Sequence, residues 1–211
     1  ANRFEKYHEN GALKSEGLII GEVKLDLWTY WYDNGNKKEE GAYIEDRKDG
    51  QWSTWYKSGK KKEKGSYKDN KKNGEWRSWY YNGQRYYKRN YKIGEKHGEW
   101  VWWYDNGQKK YIGPYKDGKK DGQWFEWSQD GSLVLNGSYK DGKKWDGDFK
   151  DGIYLSGKKH GKWTHWHENG AKSAEGEFRD GKQHGMVTSW HENGTKKEEG
   201  EYRDGNLHGM V

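Results

Sequence analysis

The chain repeats itself with a fixed period. Taking the glycine of each Asn-Gly-like turn as a ruler, Gly11, Gly35, Gly59, Gly83, Gly107 and Gly131 stand 24 residues apart. Gly152, Gly170 and Gly194 follow at intervals of 21, 18 and 24 residues. Seven positions before the ruler lie Phe4, Trp28, Trp52, Trp76, Trp100, Trp124, Trp145, Trp163 and Val187. Four before it lie Tyr7, Trp31, Trp55, Trp79, Trp103, Trp127, Trp166 and Trp190, and eight after it Ile19, Tyr43, Tyr67, Tyr91, Tyr115, Tyr139, Phe178 and Tyr202. A period of this length means that one supersecondary unit is stacked on copies of itself, each burying what its neighbour cannot.

Within a unit the signals are those of strands. Trp76 to Tyr80 is aromatic-rich and stops at Asn82-Gly83, a dipeptide suited to the two φ > 0 positions of a tight hairpin turn. A second short strand such as Glu40 to Tyr43 follows, and Lys-Asp-Gly-Lys-Lys segments such as Lys116 to Lys120 have the composition of return turns. No apolar stripe of helical spacing survives the frequent glycine. The expected fold is therefore all-β: an elongated single-sheet solenoid of stacked antiparallel β-hairpins with a 24-residue repeat. One array is expected over 1–211, irregular at 131–161. There Leu133-Val134-Leu135 replaces a charged strand and Trp145 to Gly161 reads as a shortened unit. The final Gly209-Met210-Val211 reads as the opening of another repeat, so the array is expected to continue past it.

The core of such a sheet has to be aromatic. Ile, Leu, Val and Phe supply only 23 of 211 residues and mean hydropathy is −1.57, whereas there are 15 Trp, 17 Tyr and 31 Gly. A composition so poor in aliphatics ordinarily marks a disordered chain, but disordered chains lack aromatics. Two glycine columns recur: one six residues after the ruler (Gly17, Gly41, Gly65, Gly113, Gly137, Gly176, Gly200) and one two before the first Trp (Gly50, Gly74, Gly98, Gly122, Gly161, Gly185). Glycine within a strand weakens it unless the space is needed, so Trp rings are expected to lie across these positions. Strand alternation places Trp76 and Tyr80 on one face and Trp79 on the other, giving each face an aromatic ladder.

The unit Phe178-Arg179-Asp180-Gly181-Lys182-Gln183-His184-Gly185 resembles the MORN repeat. The fuller unit from Gly98 to Gly107, with its following Gly-x-Tyr, is similar to the longer bacterial variant often labelled antitoxin-like. The resemblance covers nearly the whole chain. It implies a β-hairpin array acting as a scaffold, a dimerisation surface or a lipid-contacting module. No kinase activity carries over from the arrays that are attached to lipid kinases. Arg89, where the pattern has glycine, departs from it.

Little in the chain suggests catalysis. There is no cysteine, so thiol chemistry, disulfides and Cys-ligated metals are excluded. No nucleophile elbow, phosphate-cradling loop or carboxylate pair is present, and the Asp and Glu residues sit in turns or alternate with Lys. His97, His160, His184 and His208 repeat like structural residues, and His8, His167 and His191 hold a column otherwise occupied by Tyr, a site that wants a flat ring. His165 and His167, on one strand face with His191 about two strands away, are the one conceivable metal set. No second-shell carboxylate is specified for it, and no metal or other cofactor is assigned. No apolar run approaches the ~18 residues of a membrane span, and the compartment is open between cytoplasm and secretion.

The expected function is a non-enzymatic scaffold that binds a protein partner. Its surface is the ladder Trp31, Trp55, Trp79, Trp103, Trp127, Trp166 and Trp190, together with the irregular 131–161 segment. Three alternatives stand beside it: a glycan or choline-type ligand stacked on the Trp and Tyr rings, an antitoxin or immunity role, and anionic-lipid contact through Lys71, Lys72, Lys119, Lys120, Lys143 and Lys144. Nucleic acid is not expected, because the excess of 40 Lys and Arg over 34 Asp and Glu is mild and acidic residues interleave the lysines.

Overall fold

Tryptophan laid over glycine is the element from which this fold is built. The structure, a computed structural model, describes residues 1–149 and 152–210. Among the described residues it is all-β, built of antiparallel strand pairs, and has no helix. The chain divides into two compact units, Ala1–Lys119 with Ser128–Gly131, and Lys120–Trp127 with Ser132–Val211.

The first unit holds β1 (Asn2–Tyr7), β2 (Leu13–Ile20), β3 (Val23–Trp31), β4 (Lys37–Ile44), β5 (Arg47–Trp55) and β6 (Lys61–Lys68). It continues with β7 (Lys71–Trp79), β8 (Arg85–Lys92), the two-residue β9 (Glu95–Lys96), β10 (Gly98–Trp103) and β11 (Lys109–Lys116). The short β12 (Lys119–Lys120) falls where the chain passes between units. The second unit holds β13 (Gly122–Trp127), β14 (Leu133–Lys140), β15 (Lys143–Phe149), β16 (Gly152–Leu155) and β17 (Lys158–Trp166). It ends with β18 (Lys172–Arg179), β19 (Lys182–Trp190), β20 (Lys196–Arg203) and β21 (Asn206–Met210).

Register explains the first glycine column. Trp52 on β5 faces Gly65 on β6 within its hairpin and Gly41 on β4 on the other side. Its ring folds over Gly41, where a Cβ would stand 2.2 Å from Trp52 Cδ2. Trp28 lies likewise over Gly17, and Trp76 over Gly65. The indole N–H donates to the carbonyl of the residue after the covered glycine: Trp28 to Leu18 at 3.1 Å, Trp52 to Ala42 at 3.1 Å and Trp76 to Ser66 at 2.9 Å. Each ring therefore buries apolar area while satisfying its polar atom. A tyrosine packs edge-on from the strand beneath, with Tyr43–Trp52 centroids 5.1 Å apart and Tyr67–Trp76 4.9 Å apart. A lysine closes the top, Lys48 Nζ over Trp52 and Lys72 Nζ over Trp76, both at 3.8 Å. Under this lid Trp28, Trp52, Trp76, Trp100, Trp124 and Trp163 are at most 2% exposed, which makes one face of a single sheet into a core.

The second glycine column has a different cause. No atom lies within 4 Å of a Cβ built on Gly50 or Gly74, and both have positive φ, +74° and +75°. They serve backbone conformation beside a bulge in which Gly41 pairs with Trp52 but Ala42 with Asp49. The turns also differ from expectation. At Tyr80 to Gly83 only Gly83 has positive φ, +89°, and its N–H donates to Tyr80 O at 2.9 Å. That is a type I turn followed by a glycine bulge. The turns with two positive φ angles are the return turns, such as Asp117 at +47° with Gly118 at +78°. Tyr80 does not join Trp76 on the core face: β7 ends at Trp79, opposite a bulge that leaves Tyr86 of β8 as the extra residue, and the Tyr80 hydroxyl donates to Trp103 O at 2.8 Å.

At Trp145 to Gly161 the column is taken by a different residue. Phe149, not Trp145, covers a glycine, Gly137, and Gly152 is covered by Trp163. Gly152 thus belongs to the covered column rather than the turn column. Phe149 pairs with Gly152 three residues on, where Trp28 pairs with Gly41 thirteen residues on. The shortened repeat has lost the half of its hairpin that carries the second tryptophan. Residues 150 and 151 of this stretch, and Val211, lie outside the described residues. Arg89 fills the covered position in the fourth repeat. Its guanidinium lies 3.6 Å from the Tyr87 ring and 4.4 Å from that of Trp102, and its buried Nε has no hydrogen-bond partner.

Candidate partner-binding face

The second tryptophan column projects from the opposite face, where strand neighbours carry side chains and no ring can lie on bare backbone. Opposite each of these tryptophans stands the residue two after the turn glycine: Lys37 for Trp31, Lys61 for Trp55, Arg85 for Trp79, Lys109 for Trp103, Lys172 for Trp166 and Lys196 for Trp190. Leu133 takes this place opposite Trp127. The cations lean onto rings: Lys61 Nζ lies 5.4 Å from Trp55, Arg85 Cζ 5.8 Å from Trp103 and Lys172 Nζ 5.3 Å from Trp190. Trp31, Trp55, Trp79, Trp103, Trp127 and Trp190 are half-buried, and Trp166 is 59% exposed.

The strand ends bearing these rings are tied down repeat to repeat. Tyr32, Tyr56 and Tyr80 donate their hydroxyls to the carbonyls of Trp55, Trp79 and Trp103, at 2.8 to 2.9 Å. His8 and His167 place Nε2 3.0 Å from the carbonyls of Trp31 and Trp190. The requirement of this column is thus a donor at the tip of the side chain, which both tyrosine and the Nε2–H tautomer of histidine supply. Asn10, Asn34, Asn82, Asn106 and Asn169 add a parallel ladder, each donating to a carbonyl 23 residues ahead. The tryptophans accordingly sit on a fixed frame.

Charge varies along this face. Lys37 pairs with Glu40, Lys172 with Glu175 at 2.5 Å and Lys196 with Glu199 at 2.8 Å. The lysine hydrogen bonds hold the Glu175 and Glu199 carboxyls below the usual carboxylate range. Between Trp79 and Trp103 lies an open groove of 320 Å³, lined also by Arg77, Arg85 and Lys88.

The remaining sequence candidates separate. Lys72, Lys120 and Lys144 fold over Trp76, Trp124 and Phe149, so they belong to the lid of the core. Lys71, Lys119 and Lys143 are exposed. His165 lies beside Trp163 on the core face, while His167 is engaged with Trp190 O. Among the described residues no group of three or more His, Asp and Glu gathers as metal ligands, and no helix is long and apolar enough to cross a membrane. The cations opposite the tryptophans are what the sequence reading overlooked. Their signal was a further column, two residues after the ruler, visible only once the hairpin register is known.

A family model described as MORN repeat variant matches residues 48–69, 72–92, 96–117, 159–180 and 183–204, together just over half of the chain. Each match contains one hairpin's two longer strands, and the stretch between the third and fourth matches contains the shortened repeat. No curated protein matches the chain.

Proposed function

The chain belongs to the MORN repeat variant family, a family of generally non-catalytic repeat scaffolds, and from that premise we propose that it binds a protein partner through the second-tryptophan face. The observation that carries this reading is the division of labour between the faces. One column of tryptophans is consumed by the core, under lysine lids. The other is half-buried on the opposite face, where Tyr, His and Asn hydrogen bonds hold its strand ends. Aromatic residues with an arginine beside them are the groups from which protein interfaces draw most of their energy.

A choline-type ligand on the core-face rings is disfavoured by the same packing, since the cation position over Trp52 and Trp76 is occupied by Lys48 and Lys72. An antitoxin or immunity role would be a special case of the partner reading. The test is retention of a protein from the source lysate on immobilised full-length chain, washed at high salt. A stoichiometric partner should be retained by the parent chain and lost on Trp79→Ala with Trp103→Ala, while the thermal melt of the variant stays cooperative. Undiminished retention by that folded variant would remove the face from consideration.

A further inference from the structure

We propose that the third and fourth repeats form the specificity element of this face, a site for a carboxylate-bearing acidic polypeptide segment. The proposal rests on the partner-binding reading and narrows its chemistry.

The argument is an internal comparison. One row of the face runs directly across the strands, and at the same repeat position it carries Glu16, Glu40, Lys64, Lys88 and Ile112 in the first unit, and Asn136, Glu175 and Glu199 in the second. In the glutamate repeats with a lysine beside the tryptophan, the carboxylate neutralises it, as Glu40 does Lys37. In the third and fourth repeats that carboxylate is replaced by a second cation. Lys64, Arg77 and Lys88 then stand directly opposite one another on β6, β7 and β8. Like charges facing across strands are destabilising, so the arrangement works against the fold.

Arg77 is paired with Glu75 at 2.5 Å and Lys88 with Glu99 at 2.9 Å. Among the described residues Lys61, Lys64 and Arg85 have no ion-pair partner, and they border Trp55, Trp79 and the 320 Å³ groove. What these repeats lack, relative to those of Glu40, Glu175 and Glu199, is a carboxylate; the repeats of Ile112 and Asn136 also lack it, but only Lys64 and Lys88 put a second cation in its place. A partner glutamate or aspartate would restore the group, and Arg85 offers the planar fork that binds it. The rings are already leaned upon by cations on this face, which favours a ligand recognised through the cations over a base or sugar needing a bare ring.

The test is fluorescence anisotropy of a labelled, extended Glu-rich peptide and its Gln counterpart, titrated with the full chain. The Glu peptide should bind about tenfold or more tightly than the Gln peptide and weaken as salt rises. Lys64→Glu with Lys88→Glu, which installs the residue used in the other repeats and so should fold, should remove the difference. Glu175→Lys with Glu199→Lys should create a second binding site. Equal binding of the two peptides, or binding indifferent to Lys64→Glu/Lys88→Glu, overturns the proposal. So does Lys64- and Lys88-dependent binding of phosphatidylserine vesicles or oligothymidylate without binding of the peptide. If a protein partner depends on Trp79 and Trp103 but is indifferent to Lys64→Glu/Lys88→Glu, this inference fails and the partner-binding function stands.

Discussion

At Gly65 a methyl group would stand 2.2 Å from Trp76 Cδ2, and the indole has nowhere to retreat between Tyr67 and Lys72. Gly65→Ala should therefore lower stability by about 1–3 kcal/mol, measured as a shift in the urea midpoint. Gly74 is also a strand glycine, but its requirement is positive φ with open space around it. Asp26 occupies the equivalent position two before Trp28 at φ +55°, so Gly74→Asn should cost less than about 1 kcal/mol. Ile93 is the reverse case. It holds φ +47° in a return turn where Asp117, Asp141, Asp180 and Asp204 hold the same place, and a β-branched side chain is strained there. Ile93→Asn should raise stability by about 1 kcal/mol, read in the same denaturation. The sequence located the two glycine columns but could not tell their roles apart, and it gave no sign of Ile93. Glycine permits close approach and positive φ equally, and only register distinguishes them.

In the hairpins, strand content and order followed from the period and the aromatic runs, because two-residue alternation and turn composition are local properties. Turn type was not legible, since Asn-Gly is compatible with either the two-residue turn or the type I turn with a glycine bulge, and the bulge wins here. The shortened repeat was misaligned because a glycine ruler cannot separate a turn glycine from a covered one, and Gly152 is the latter. The repeated Lys–Trp–Tyr stack has a consequence for pH. Burial pushes Tyr67 up to about 12 and raises Tyr43, Tyr87 and Tyr91 in the same direction. A proton held more tightly in the folded than in the unfolded state stabilises fully below pH ~10 and is lost as pH rises toward the folded value. The chain should therefore keep its melting temperature up to about pH 10 and lose it between about 10 and 12. Tyrosinate absorbance should show a late phase that coincides with unfolding. A melt that is flat through pH 12 would contradict the stack.

For the molecule as a whole, both units use one face as core and hold the second tryptophan column on the other, and they differ in what surrounds that column. Glutamate accompanies Lys172 and Lys196 in the second unit, whereas in the third and fourth repeats of the first a run of cations crosses the strands, and Lys61, Lys64 and Arg85 among the described residues have no ion-pair partner. The two aromatic columns were plain in the sequence. Which one is core was not, because Trp76 and Trp79 are the same residue three positions apart, and the covered glycine that decides between them belongs to a different strand. The most direct test of that assignment is the free energy of unfolding of Trp76→Ala beside Trp79→Ala by urea denaturation. Trp76→Ala should lose about 3–5 kcal/mol and Trp79→Ala about 1 kcal/mol or less. Equal losses, or the larger loss at Trp79, would mean that the second column is part of the core and is not available to a partner.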